Sequence, residues 1–281
     1  MGKRRKRPET FPPATWRLLE SGPLDGPTNL ALDEAILTAV ASGESPPTLR
    51  IFNFTSTTIS LGYEQDWDGL DWDICEQEGW HIVRRASDGR AIMHLDDWNY
   101  ALYLPLFDPR AQGDAAAIAR RFNLGLEYGL ITLGLDPTRM QPFYHDTGPP
   151  GFGSFDGPSL YNIVVGQQAL VSGAQWRLET ALLYQGTLPL SSDVTLLSQA
   201  MLFDLPGQRI AAQLRLGRRA INLNTCLGQS KPVTEITAAM VAGLGDGLDL
   251  TFVPDNLTPT EQIQTTQLRP KYAAEAWTKR V

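Results

Sequence analysis

The chain is predicted to form one α+β (mixed α/β) unit, a central mixed β-sheet flanked by helices, with a C-terminal helical appendage. Short β-rich runs fill the sequence up to Leu190, interrupted by a few helical stretches. From Ser191 onward the apolar spacing becomes helical, and no internal repeat or low-complexity tract breaks this order. With 281 residues, 42% of them hydrophobic and 20% charged, the chain is long and apolar enough to bury a sizeable core.

Trp16-Arg17-Leu18-Leu19 reads as an edge strand. Pro27-Thr28-Asn29 opens a helix that runs to about Ala41 and is ended by Gly43. Asp33 and Glu34 on it are expected to be solvated or capping charges. Thr48 to Phe54 and Thr57 to Leu61 are strands on either side of Thr55-Ser56. Asp68 to Gly79 is expected to be helical, Trp80 to Arg84 a strand, and Ala91 to His94 its partner. Trp98 to Leu104 alternates with period two, as a half-buried strand does. Asp114 to about Gly134 is the next helix, and the Pro- and Gly-rich stretch from Asp136 to Pro158 is a long loop of the kind that borders sites. Leu160 to Val165 and Ala169 to Gln175 form a hairpin around Gly166-Gln167-Gln168, and Thr180 to Leu190 is a further strand. Helices are expected at Val194 to Leu202, Gly207 to Leu216, Val233 to Leu248 and Thr258 to Val281.

Charge and cysteine usage narrow the function classes. Lys3, Arg4, Arg5, Lys6 and Arg7 form a basic tail, expected to be disordered through residue 14; the remaining 19 basic residues face 31 acidic ones, a net of −12. A body this acidic argues against nucleic acid as the main partner. The tail runs into Pro8-Glu9-Thr10-Phe11-Pro12-Pro13 with no apolar stretch behind it, unlike a secretory signal, and no membrane span is expected. Cys75 and Cys226 are isolated cysteines, which fits a reducing, cytoplasmic compartment and packed thiols. His81, His94 and His145 are too scattered for a dedicated metal site.

The segment Val83 to His94 carries the strongest chemical signal. It reads as two strands joined by a turn that holds Arg85, Ser87, Asp88, Gly89 and Arg90. Backbone N–H groups at a Gly-containing turn, next to guanidinium groups, suit a carboxylate or phosphate.

Five segments then accumulate in order: Asn29 to Ala35, Thr48 to Phe52, Ile59 to Gly62, the Arg84 to His94 stretch, and Gly173-Ala174-Gln175. Together they resemble the lipoate–protein ligase and octanoyltransferase family, which shares its fold with biotin–protein ligase. Leu268-Arg269-Pro270-Lys271-Tyr272 with Trp277 is similar to the close of the octanoyltransferase branch. The resemblance implies an acyltransferase domain over residues 15–250 and a helical extension over 251–281. It implies transfer of an octanoyl or lipoyl group to a lysine of a lipoyl domain of 2-oxoacid dehydrogenases, or of the glycine-cleavage H protein. The ligase version activates lipoate with ATP and magnesium; the transferase version draws octanoate from acyl carrier protein, in one branch through a cysteine thioester. No tightly bound cofactor is implied. Arg85, Ser87, Gly89, Arg90, Ala91, Ile92 and His94 would line the acyl and carboxyl site, with Ser172, Gly173, Ala174 and Gln175 opposite.

Against the family pattern Gly-x-Lys-Ile-x-Gly-Ser-Ala-Gln, this chain reads Gly166-Gln167-Gln168-Ala169-Leu170-Val171-Ser172-Gly173-Ala174-Gln175. Ala169 occupies the lysine position, and the Gly-Ser order is inverted. Losing one positive contact at a carbonyl that gains negative charge typically costs ~3–4 kcal/mol, or ~10²–10³ in rate. Ser154 stands where the branch places its cysteine, and a serine needs an adjacent base, for which His94 and His145 are the candidates. Asp88 sits where the family turn is usually glycine and would repel a nucleotide phosphate. Two functions therefore compete: acyl transfer with altered catalytic groups, and a degenerate relative that binds an acyl chain or lipoyl domain without transferring it.

Overall fold

The computed structural model describes residues 9–136, 138, 140–141, 151–157 and 159–280. The basic tail through Pro8, most of the Pro- and Gly-rich loop, and His145 lie outside them. Strands β1 (Ala14–Leu24), β2 (Thr48–Phe54), β3 (Thr58–Leu61), β4 (His81–Arg84), β5 (Ile92–His94), β6 (Asp97–Pro105), β7 (Met140–Gln141), β8 (Ile163–Val165), β9 (Gln168–Arg177), β10 (Ala181–Pro189) and β11 (Leu250–Pro254) are joined by eight helices among the described residues. These are α1 (Gly26–Ser42), α2 (Trp72–Gln77), α3 (Ala115–Thr132), α4 (Pro206–Arg219), α5 (Leu223–Leu227), α6 (Val233–Leu248), α7 (Pro259–Ala273) and α8 (Glu275–Thr278).

The main sheet has the order β11-β1-β2-β6-β10-β9-β8-β7, and a smaller sheet has the order β4-β3-β5. β1 lies parallel to both β2 and β11, so it is an interior strand and not an edge. β11 falls between the helices expected at Val233 to Leu248 and Thr258 to Val281, where no strand was expected, and the chain returns through it to the main sheet before α7. β6 is buried at all nine positions, on both faces. Its alternation separates two buried environments. Trp98, Tyr100, Leu102 and Leu104 enter the core under α3 and α6, while Ala101 and Tyr103 face α1.

Helices α3 and α6 cross through glycines. A Cβ on Gly243 would lie 2.2 Å from the Gly129 nitrogen, and one on Gly247 would lie 2.6 Å from Gly125 Cα. On the other face, α1 begins with the Asp25 side chain accepting from the Thr28 N–H and stops at Gly43 in the left-handed region (φ 77°). Buried residues surround it on several sides. Asp33, expected to be solvated, is 4% exposed and pairs with Arg50 at 2.6 Å while accepting from the Tyr103 hydroxyl. Glu34 takes Lys271 Nζ at 2.6 Å and the Tyr272 hydroxyl, which ties α7 to α1.

The expected β4–β5 hairpin is absent. β4 pairs parallel with β3, and β5 pairs antiparallel with the other side of β3, so β3 separates them. The expected helix at Asp68 to Gly79 contracts to α2, capped by Asp71. The expected helix at Val194 to Leu202 is a short 3₁₀ turn, Leu196–Gln199.

Candidate active site

Because β3 lies between β4 and β5, the Arg85–Arg90 turn is a crossover strapped over the end of β3. Arg85 N–H donates to the Leu61 carbonyl at 3.0 Å and Tyr63 N–H to the Ser87 carbonyl at 3.0 Å. Gly62 makes room for this, since a Cβ there would lie 1.9 Å from the Gly89 carbonyl oxygen. Gly89 itself has φ 102°, open to glycine at little cost.

Arg85 is fully enclosed by this turn. Its Nη1 donates to the Ser60 carbonyl (2.7 Å) and, at 3.3 Å, to the Ser60 hydroxyl. Its Nη2 donates to the carbonyls of Asp88 (3.0 Å) and Arg90 (2.9 Å). The Nε–H is buried with no partner among the described residues. Burial pushes the guanidinium down to about 10, still charged at neutral pH. Ser87 Oγ accepts from Gln185 Nε2 at 2.8 Å, and Arg90 donates to the Gly151 carbonyl, so the turn also meets β10 and the loop at residues 151–157.

The opposite wall is β9 with β10. Ser172 pairs with Thr187, Gly173 with Gly186 and Ala174 with Gln185. Between the walls lies a narrow cleft with about 400 Å³ of space, its open mouth included. Leu30, Phe52, Phe54, Ile92 and Ala174 make it apolar, and Arg85, Ser60, His94, Asn99 and Thr187 supply polar groups. The Thr187 hydroxyl, like Arg85 Nε, is buried without a partner among the described residues. An apolar cleft with a few converging polar atoms is the form a small-molecule site takes. A buried unsatisfied donor costs about 1–3 kcal/mol, so such atoms mark where a ligand's polar head restores the missing bonds.

His94 is buried against this cleft, with the Phe54 ring stacked on it at 4.3 Å between centroids. Its Nε2 lies 3.0 Å from Ser60 Oγ, and its Nδ1 lies 3.2 Å from Asp97 Oδ2 and 3.1 Å from Asn99 Oδ1.

Ser154 sits beside the crossover: its N–H donates to the Ala91 carbonyl at 2.8 Å, and Gly153 bridges to Ala91. Asp156, fully buried, holds this loop through Arg215 (2.7 and 2.6 Å) and Arg219 (3.0 Å). The Ser154 hydroxyl meets the Ser172 hydroxyl at 2.6 Å, and no basic side chain reaches it among the described residues. Ala169 is fully buried in β9. A bulge opposes Ile163–Val164 to Val171–Ala169 and sends both Leu170 and Val171 into the main core, which turns Ala169 toward the face carrying Ser172. The structure therefore brings Arg85, Ile92, His94, Gly173 and Ala174 to one cleft; Ser172 reaches it only through its strand partner Thr187, and Ser154 and Ala169 do not line it. Gly89 lies across from Ala174, while Ala91 faces a separate apolar cluster and lines another hollow.

Sequence reasoning missed Ser60, Asp97, Asn99 and Thr187. A signal existed at Ser60, a hydroxyl between buried Ile59 and Leu61 in a four-residue strand. The polar-apolar alternation of Asp97, Trp98, Asn99 and Tyr100 also carried one.

A large mixed sheet flanked by helices, with a second three-stranded sheet beside it, is the fold of the lipoate-protein ligase class. Solved structures share this fold over nearly the whole chain. One is the bipartite lipoate protein ligase of Thermoplasma acidophilum (TM-score 0.79, 22% identical, 95% of this chain and 97% of that chain covered). A second is lipoate-protein ligase A solved with ATP (TM-score 0.76, 24% identical, 95% and 99% covered). The lipoyl protein ligase A/B catalytic domain family matches residues 25–245, and the chain belongs to it. Its relatives include octanoyltransferase LipM of Kyrpidia tusciae, 31% identical over 273 residues, with 95% of this chain and 99% of the relative covered. Octanoyltransferase LipM of Moorella thermoacetica is 33% identical over 280 residues, with 96% and 100% covered. No helix among the described residues is long and apolar enough to cross a membrane.

Proposed function

We propose that this protein transfers a medium-chain acyl group, octanoyl or lipoyl, to the lysine of a lipoyl domain or of the glycine-cleavage H protein. The observation that carries the reading is the apolar cleft holding two unpartnered buried donors, Arg85 Nε–H and the Thr187 hydroxyl. These would bind the oxygen of an acyl head while Phe52, Phe54 and Ile92 pack its chain. The resemblance to octanoyltransferases over nearly the full length of both partners supports the same chemistry.

An acyl carrier protein fits as donor better than lipoate with ATP. Among the described residues, the basin beside the crossover is lined by Glu64, Asp66, Asp68 and Asp88 with Arg90 as its one basic side chain, a field that repels a triphosphate. The second reading, acyl binding without transfer, is favoured by Ser154 facing only another hydroxyl and by Ala169 in the lysine position.

Mass spectrometry of a purified lipoyl domain separates these readings. One incubation contains octanoyl-acyl carrier protein, the other lipoate with Mg-ATP. An octanoyl gain in the first alone is expected. A lipoyl gain in the second alone would make the protein a ligase. No gain in either, with octanoate still bound, would make it a non-catalytic relative.

A further inference from the structure

We propose that Ser60 is the nucleophile that carries the acyl group, with His94 as its base and Asp97 as the positioning residue behind the imidazole. This rests on the acyl-transfer reading above and replaces the serine of the loop with one in the cleft.

The tautomer of His94 follows from its neighbours. At Nδ1 it meets Asp97 Oδ2 and Asn99 Oδ1, and a carboxylate only accepts, so Nδ1 carries the hydrogen. Nε2 is left as a lone pair 3.0 Å from Ser60 Oγ, and the serine hydroxyl donates to it. The polarity runs from hydroxyl to imidazole to carboxylate, the order that activates a serine whatever the fold. All three side chains are buried, with Ser60 only 2% exposed, and Phe54 stacked on the ring shields the pair from water. Ser60 and His94 nevertheless both line the cleft that would hold the chain. Arg85 borders the same hydroxyl through Nη1 at 3.3 Å, and its unpartnered Nε–H is the donor available for an oxyanion formed there. Ser154 has none of these neighbours, since its hydroxyl meets that of Ser172.

The donor is an acyl thioester. Ser60 Oγ attacks the thioester carbonyl, and its proton passes to His94 Nε2. The tetrahedral intermediate, its oxyanion facing Arg85, collapses with cleavage of the C–S bond. The departing sulfur takes the proton from His94, leaving a free thiol and an ester on Ser60. In the second half, the acceptor lysine amine, as the neutral base, attacks that ester and gives a proton to His94. Collapse breaks the C–O bond, His94 returns the proton to Ser60 Oγ, and the amide is formed.

The test uses the full chain with octanoyl-acyl carrier protein, quenched in acid, digested and mapped by mass spectrometry, with transfer to a lipoyl domain followed in parallel. An octanoyl ester is expected on the peptide that contains Ser60. Ser60→Ala is expected to lose the adduct and at least about 10³-fold in transfer rate. Ser60→Cys guards against a folding defect: it should still be acylated, now as a thioester cleaved by neutral hydroxylamine, which leaves the wild-type ester intact. Asp97→Asn should lower kcat with the KM for the donor unchanged, because it disturbs the tautomer and leaves the cleft in place. An adduct mapped to Ser154 or elsewhere overturns the proposal, as does transfer at the wild-type rate by folded Ser60→Ala. Transfer through either of those routes leaves the acyl-transfer reading standing. A wild type that neither transfers nor becomes acylated overturns both.

Discussion

Arg85→Lys keeps a cation at the crossover and removes the geometry that makes it useful. The guanidinium reaches Ser60, Asp88 and Arg90 through two nitrogens at 2.7 to 3.3 Å, a span that one ammonium nitrogen cannot cover. About two charge-assisted bonds to carbonyls are lost, each worth about 1.5–3 kcal/mol. Asp88 is exposed, so water compensates part of this, and the expected loss is about 3 kcal/mol. For a chain of this size that lowers Tm by roughly 5 °C. A second consequence is electrostatic. Burial brings even the arginine down to about 10. The same burial applied to an ammonium, whose ordinary value of about 10.4 is already lower than a guanidinium's, pushes it below the arginine. Octanoate affinity, measured by calorimetry, should therefore fall between pH 7 and pH 9 in the variant and hold steady in the wild type. A variant with wild-type Tm and an affinity independent of pH over that range would refute Arg85 as both clamp and head-group ligand.

Three further outcomes follow from the fold. Gly62→Ala places a methyl 1.9 Å from the Gly89 carbonyl oxygen, which backbone cannot yield to, so the crossover must shift; stability should drop by about 1–3 kcal/mol and octanoate binding at least tenfold with far-UV circular dichroism unchanged, and retained binding would contradict the tight strap. At Glu261, burial alone would raise the carboxyl, but hydrogen bonds from Arg17, Thr258 N–H and Ser45, with the Arg17 charge, hold it below its ordinary 4.5. Its contribution is present above 4.5 and lost as pH falls through the lower folded value. Glu261→Gln should thus cost about 3 kcal/mol at pH 7 and flatten the acid limb of denaturant midpoints, whereas an unchanged limb would mean α7 is anchored otherwise. Cys75 is buried, and desolvation followed by the Asp71 charge pushes its thiol up to about 11. It should resist iodoacetamide at pH 8 until the protein unfolds, and rapid labelling of the native chain would show the α2 packing to be wrong.

Local signals made much of the fold legible. Pro27 and Gly43 bracket α1, Val233 to Leu248 is α6 to the residue, and Gly166 marks the β8–β9 turn. What stayed hidden depends on contacts distant in sequence. Nothing between Trp80 and His94 reveals that β3 inserts between the two flanking strands, so the turn looked like a hairpin. β1 passes for an edge strand until β11, more than 200 residues later, pairs with it. Asp33 reads as a surface charge on α1 because its partners Arg50 and Tyr103 come from other strands. The site was half visible for the same reason. Arg85, His94 and the Gly173–Ala174 wall lie in motif-like stretches, whereas Ser60, Asp97 and Thr187 join them only through pairing of β3, β6 and β10. The residue types Ala169 and Ser154 were readable in the sequence, and the structure adds that Ala169 is buried in β9 and that the Ser154 hydroxyl faces the Ser172 hydroxyl.

A crystal structure of the full chain with octanoic acid tests the central claim most directly. The carboxyl should lie within hydrogen-bond reach of Arg85 Nε and the Thr187 hydroxyl, with the hydrocarbon against Phe52, Phe54 and Ile92. Octanoate seated in any other hollow, with this cleft closed and those two donors still unpartnered, would contradict it.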